Sequence, residues 1–510
     1  MRLISRILGF TLALVVAVVL VAFYWIQDAN NLKPELQALI AANSDYSAEF
    51  NGDLTWSLFP PLHLQAQNVT LSSSDEEITA ASIDLRMDLS AMWEDINQWR
   101  VTELRLRDTV LEQTLDGSRT TIHAADILDF SLGEPSGFHL DAAHQSTSDE
   151  EPFAAILSGK VTFHPEGDDG RMHVILQDTA IDAQGIAGVC EADVKEPVTV
   201  PANLPAAKDD EILPIATLRE FDITANCALT ALEFGSETFN DAEFELTNIN
   251  GQLNFMLNVR DFLGGTLMAD ADVDITQTPA QWTLLPEIEN VDSERLMQWT
   301  DQKLQWIAPV AFNSTVKMQG NSEAELATSL RANSEFDGGQ GQINISAIKE
   351  QLMQLALLAG KADEVSAWPD MWEYQEFTGR WNIVGPAHDL KFAIDNMSVD
   401  AQGSIDYLAD RMNLLAEVTL HEAPEGSPMR INPMLQGTAI PVRCRGSTAS
   451  PTCKLDDGAA QNLIARALQR DDESGLRNKL EEKIEEDVPE EYRDTARELL
   501  DLLGRALEGD

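Results

Sequence analysis

Basic residues are scarce in this chain: 35 Lys and Arg stand against 85 Asp and Glu in 510 residues, a formal net charge of −50. Such a surface gives nucleic acid no hold, because that binding rests on Lys and Arg meeting phosphates. Anionic headgroups or polysaccharide held by electrostatics alone are repelled too, so a lipid-like ligand must be gripped through its apolar part. Catalytic signatures are missing as well. There is no Gly-x-Ser-x-Gly elbow and no Walker-type loop. Gly338-Gly339-Gln340-Gly341 lacks the Lys and reads as a bend or bulge. The eight histidines are scattered, and the one close pair, His139 and His144, has no metal-ligand spacing. Asp270, Asp272 and Asp274 alternate with Ala271 and Val273 and lack the Gly and distal Glu of a calcium loop, so they mark the wet face of a strand. No catalytic residue, metal ligand or cofactor is assigned, and an enzyme is not expected.

Long apolar runs are also lacking, with one exception. Ile7 to Ile26 is unbroken and at about 1.5 Å per residue spans roughly 30 Å, a bilayer core. Arg2 and Arg6 precede it and Gln27-Asp28 follow, which keeps the N-terminus cytoplasmic and sends the rest across. The competing reading is a cleaved signal peptide, but Phe23-Tyr24-Trp25-Ile26 occupies the place of a small-x-small cleavage site. The expectation is a single-pass anchor over residues 1–28.

Only four cysteines occur, Cys190, Cys227, Cys444 and Cys453, with no C-x-x-C pattern. An even number in an exported region is consistent with two structural disulfides. Cys444 and Cys453 flank a turn-rich stretch that a hairpin staple would close, and Cys190 with Cys227 would then be the second pair.

Most of the chain alternates with period two. Leu62, Leu64 and Ala66 do so, as do Ile83, Leu85, Met87 and Leu89. Leu253, Phe255, Leu257 and Val259 follow, then Leu267 to Ile275, Leu390, Phe392 and Ile394, and Met412 to Leu420. Short alternating runs bounded by Gly, Asn and Asp predict half-buried antiparallel strands. Helices are expected over Leu32–Ala42, Ser293–Trp306 and Ala347–Leu358, and from Ala459 onward. Pro197, Pro201 and Pro205 make residues 196–213 a linker between a β region at 29–195 and another at 214–458. In the acidic tail, 459–510, Leu476, Leu480, Ile484 and Val488 form one stripe, and a second helix opens around Pro489. That hairpin either packs on the last strands or acts as a plug or docking element. Aromatics make up only 6% of the chain, low for compact sandwich cores. The apolar strand faces therefore need covering, by the sheet itself or by something else.

Lys33-Pro34-Glu35-Leu36 and the stretch Phe50-Asn51-Gly52-Asp53-Leu54-Thr55-Trp56-Ser57-Leu58-Phe59-Pro60-Pro61 resemble the opening of the AsmA family. Strands over Leu62–Leu71, Ile78–Leu89 and Val101–Leu115 would follow. Asn250-Gly251, Phe262-Leu263-Gly264-Gly265-Thr266, Ser334 to Gly341 and Gly403 to Tyr407 are similar to its later signatures, so the resemblance spans most of residues 1–455. It implies an elongated, curled antiparallel β-sheet groove, mainly β with few helices, behind an inner-membrane anchor. It also implies phospholipid traffic toward the outer membrane, or support of that membrane's integrity. Leu253, Phe255, Leu257, Val259, Phe392 and Ile394 are then the candidates for the groove floor, meeting phospholipid through its acyl chains. Envelope-assembly proteins are further expected partners, and binding them without carrying lipid is the alternative role. Some 20 strands at about 4.8 Å give a path of order 100 Å, so a partner or oligomer would complete a conduit.

Overall fold

The computed structural model describes residues 29–57, 62–74, 76–88, 100–113, 118–145, 152–166, 171–196, 211–346, 349–350, 353, 365–422, 436–437, 439–448 and 450–456. The expected anchor, nearly all of the linker and the acidic tail lie outside them, as does most of the helix expected over Ala347–Leu358. Among the described residues no helix is long and apolar enough to cross a membrane. The chain divides into two compact units, the first built on residues 1–262 with 266–283 and 320–323, the second on the remainder.

The first unit opens with helix α1 (Lys33–Asn43), which has Pro34 in its first turn, where a missing N–H costs nothing. Strands β1 (Ser47–Phe50) and β2 (Leu54–Ser57) share one edge of β3 (Leu62–Ser72). From there the sheet runs antiparallel and in chain order through β4 (Glu76–Asp88), β5 (Arg100–Gln113), β6 (Arg119–Phe130), β7 (Ser136–Gln145), β8 (Phe153–Glu166), β9 (Arg171–Ala183) and β10 (Ile186–Lys195). It continues into β11 (Asp222–Phe234), with the short β12 (Glu237–Phe239) folded back on it, then β13 (Ala242–Ile249) and β14 (Gln252–Phe262). β15 (Gly265–Asp274) follows, and β16 (Gln281–Asp292) starts in this unit and has residues 284–292 in the second.

Register keeps one face apolar over this length. Leu64 stands opposite Leu85 and Leu85 opposite Leu104. Leu106 meets Ala125, Ala125 meets Leu140, and Leu140 meets Leu157. Where strict alternation would turn side chains outward, bulges restore it. Asn68, Asp108 and Asp178 adopt positive φ, the left-handed conformation that Asn and Asp tolerate best, and register shifts accompany several of these strands. At the β3–β6 end Leu36 and Ile40 of α1 close the face into a dry core with Leu54, Leu64, Leu85 and Met87. The opposite face carries charges: Arg86 pairs with Glu103 at 2.9 Å and Arg107 with Asp126 at 2.6 Å, and His63 Nε2 lies 2.8 Å from Asp84 Oδ1.

The second unit has helix α2 (Ser293–Trp299), capped by the Asp292 carboxylate, which accepts from the backbone N–H of Glu294 and Arg295. The expected helix to Trp306 ends early. Asp301 takes a left-handed conformation, and Trp306 is drawn instead into β17 (Trp306–Ile307), where its ring is buried. The main sheet of this unit pairs β18 (Pro309–Gln319) with β19 (Arg331–Asp337). After β19 it skips to β22 (Phe377–Val384), then continues through β23 (Ala387–Ile394), β24 (Met397–Asp406), β25 (Arg411–Leu420), β26 (Ala439–Gly446) and β27 (Thr452–Leu455). The skipped strands β20 (Gly341–Asn344) and β21 (Met371–Tyr374) join β17 in a separate three-stranded sheet.

Both cysteine pairs are disulfides, Cys190–Cys227 and Cys444–Cys453. Each joins directly opposed residues of neighbouring strands, with Cα atoms 4.1 and 4.0 Å apart.

Candidate functional site

The apolar face of the first unit changes character along its length. Beyond the α1 core the inward residues become half-buried: Leu140, Leu157, Ile181, Ala192 and Ala225 all keep partial exposure. On β13 and β14 the pattern sharpens into two open rungs. Leu246 stands between Ala225 and Phe255, and Phe244 stands between Cys227 and Leu257. The Phe244 and Phe255 rings lie 6.4 Å apart, and all four large side chains on these rungs are half-buried.

The rungs on either side are closed. Toward one end of the strands Leu253, 2% exposed, packs with Val273, Ile275 and Ala280 under Leu213, Ile215 and Leu218. Asn248, the inward residue there, donates from Nδ2 to the carbonyls of Leu218 and Phe221, both at 2.7 Å, and the Arg219 guanidinium donates from Nε to the Ile275 carbonyl at 2.8 Å. Toward the other end Val259, Ala242 and Leu229 are buried beside Phe239 and Phe262, whose rings are 5.0 Å apart. An apolar strip two rungs wide remains between them. Its outer side is polar, with Arg260 paired to Glu243 and Asn254 donating to Asp272.

In sequence, then, Leu253, Phe255, Leu257 and Val259 form one alternating run, yet Phe255 and Leu257 line the strip whereas Leu253 and Val259 belong to its closed borders. Phe244, Leu246 and Ala225 complete the strip. The alternation Glu243-Phe244-Glu245-Leu246 was the signal that could have found the first two.

Phe392 and Ile394 are surrounded differently. Ile394, 2% exposed, lies in a core with Trp306, Trp372, Tyr374, Met397 and Leu420, and Phe392 packs against that core. The Phe377 ring bridges the two, 5.6 Å from Phe392, 5.2 Å from Trp306 and 5.9 Å from Tyr374. Farther along the same face His388 is buried against Trp381, whose Nε1–H donates to His388 Nδ1 at 3.1 Å. Burial holds the His388 pKa below its usual value of 6.5.

The acidic triplet and the histidine pair behave as surface groups. Asp272 and Asp274 bond to Asn254 and Thr276, and the Thr276 hydroxyl beside Asp274 lowers that carboxyl's pKa. His144 is exposed and lies 2.9 Å from the Thr120 hydroxyl, whereas His139 occupies the alternate face of the same strand. Among the described residues no group of three or more His, Cys, Asp or Glu is placed to hold a metal ion.

The model of the AsmA family matches residues 1–136. Over this stretch the chain is similar to AsmA family proteins. The AsmA match takes in α1 and β1 to β6 and stops at the first residue of β7, short of the further residues over which the resemblance was expected. The open strip on β13 and β14 thus lies outside the AsmA-matched region, on a sheet that continues from it strand by strand. No curated protein and no solved structure matches the chain.

Proposed function

We propose that this protein is anchored in a bacterial inner membrane by Ile7–Ile26, extends into the periplasm, and binds phospholipid through its acyl chains in support of phospholipid transport or outer-membrane integrity. The observation that carries the reading is the apolar sheet face that stays half-open at Phe244, Leu246, Phe255 and Leu257 while the opposite face is charged. A soluble domain normally covers such a face, and contiguous exposed apolar surface marks an interaction site. A chain with net charge −50 holds an anionic or zwitterionic lipid by its tails rather than its headgroup. The two cross-strand disulfides favour an oxidising compartment, in keeping with export. The AsmA match supplies the envelope context. The protein performs no reaction of its own; it provides a surface along which a lipid chain stays out of water.

A photoreactive residue placed at Phe255 in the full-length, membrane-anchored chain tests this. Phospholipid adducts are the expected result. Adducts to envelope proteins alone would instead select the alternative role, an assembly factor that carries no lipid.

A further inference from the structure

The two units use the same alternating strand pattern, but the second already has an occupant on its apolar face. From the geometry we infer that the three-stranded sheet β17–β20–β21 is a built-in cover that takes the place of an apolar ligand over Phe392 and Ile394, so that lipid is confined to the two-rung strip of the first unit. The confinement rests on the proposed lipid-binding role; the cover does not.

Three observations carry it. The cover is filled with large side chains, Trp372 at 1% and Tyr374 at 0% exposure, and these sit in one core with Ile394, Met397 and Leu420 of the main sheet. It is held by buried hydrogen bonds. Trp306 Nε1–H donates to Tyr374 Oη at 2.6 Å, and that hydroxyl donates to the Gly338 carbonyl at 3.2 Å. Ser293 Oγ donates to the Trp306 carbonyl at 2.7 Å and accepts from the Ala308 N–H at 2.8 Å. Leaving such groups unpaired in a dry core is costly, so the cover is no loosely placed flap. Finally, the crossing from β19 into the cover needs glycine. A Cβ on Gly338 would meet Trp306 Cζ2 at 2.7 Å and Phe377 Cδ1 at 2.8 Å, and one on Gly341 would meet Tyr374 Oη at 2.5 Å.

Among the described residues no comparable sheet lies over the strip of the first unit; Phe255 packs against the Leu253 cluster at one border, and Phe244, Leu246 and Leu257 stay half-buried. Its two rungs are about 6.8 Å apart along the strands, and neighbouring alkyl carbons approach to about 4 Å. One or two chains fit abreast between the closed borders, which suits a single glycerolipid in cross-section.

The test compares photoreactive residues at Leu257 and Phe392, both half-buried positions, in the full-length chain within its membrane. Phospholipid adducts at Leu257, with only internal adducts to peptides of the small sheet at Phe392, are expected. Lipid captured equally at both positions overturns the cover while leaving the proposed function standing. Lipid at neither position overturns the confinement and the proposed function together. A Gly338→Leu variant that retains its β-sheet circular dichroism should admit lipid at Phe392, because its side chain displaces the Trp306 contact. Continued exclusion there would count against the cover.

Discussion

The Cys190–Cys227 disulfide staples β10 to β11, adjacent strands that are otherwise connected in sequence by residues 196–221. Its sequence separation is 37, against 9 for Cys444–Cys453. The chain-entropy relation for a cross-linked loop gives about 3.8 kcal/mol for the first and about 2.6 kcal/mol for the second at 25 °C. Alanine is the right replacement, because Cys190 is buried and a serine hydroxyl there would add an unsatisfied polar group. A chain of two units does not unfold in one step, so the measurement has to be local. Native-state hydrogen exchange of the β10 and β11 amides serves, since it reads the opening of those strands alone. In C190A/C227A their protection should fall roughly 600-fold, and in C444A/C453A that of β26 and β27 should fall roughly 80-fold, at about 1.36 kcal/mol per decade. Equal losses at the two sites, or none at β10 and β11, would refute the entropic argument. They would mean that the connection is already constrained when those strands open.

Three further perturbations test separate parts of the structure. Leu85→Ala removes a fully buried side chain from the α1 core and should cost about 3 kcal/mol, read from exchange of the β3–β5 amides. Leu257→Ser touches only the strip; it should leave sheet exchange unchanged while lowering lipid capture at Phe255 about 5- to 30-fold, the equivalent of 1–2 kcal/mol of apolar contact. His388 has a native pKa held below 6.5 by burial, so as pH falls the opened chain takes up the proton first. Stability contributed by the neutral ring is complete above about pH 6.5 and is lost on acidification toward the lower native value. Exchange protection of the β22–β24 amides in the wild type should therefore fall between pH 7.5 and 5.5 by more than it does in His388→Gln.

The strand framework was legible because its signal is local. Leu62 to Ala66 and Ile83 to Met87 alternate plainly and fall within β3 and β4, and Lys33-Pro34 starts α1. The cysteine pairs were legible too, one from its turn-rich spacing and the other by elimination. What periodicity could not convey is what covers a face. Phe255 and Phe392 sit in equivalent alternating runs, yet one borders an open strip and the other a core capped by Trp306, Trp372 and Tyr374. That cap is assembled from short strands spread from Trp306 to Tyr374, each too brief to show a period. Tertiary burial of Trp306 also overrode the helical pattern that ran on to it from Ser293, a long-range gain that no local window contains. Bulges hid the rest: at Asn68 the apolar positions jump from Ala66 to Val69, and only the left-handed Asn makes both face inward.

Energetics limit what the proposed strip can do. A methylene kept out of water gains about 0.8 kcal/mol, so the two chains of a common phospholipid, with some 14 methylenes each, face about 22 kcal/mol on crossing an aqueous gap bare. A half-open apolar face removes most of that barrier. It offers no more than the bilayer interior already does, so it gives the lipid no net pull in either direction. On the proposed lipid-binding reading, the closed borders at Leu253 and Val259 would hold the chains on the two open rungs, which shortens the search without deepening the well. A strip that bound lipid more tightly than the membrane would trap it. Substitutions that enlarge the apolar contact, such as Ala225→Leu, should therefore raise the lipid retained on the purified protein while slowing its delivery to acceptor vesicles. Faster delivery from a variant that retains more lipid would mean that release is not the limiting step and that the strip is a binding site rather than a path.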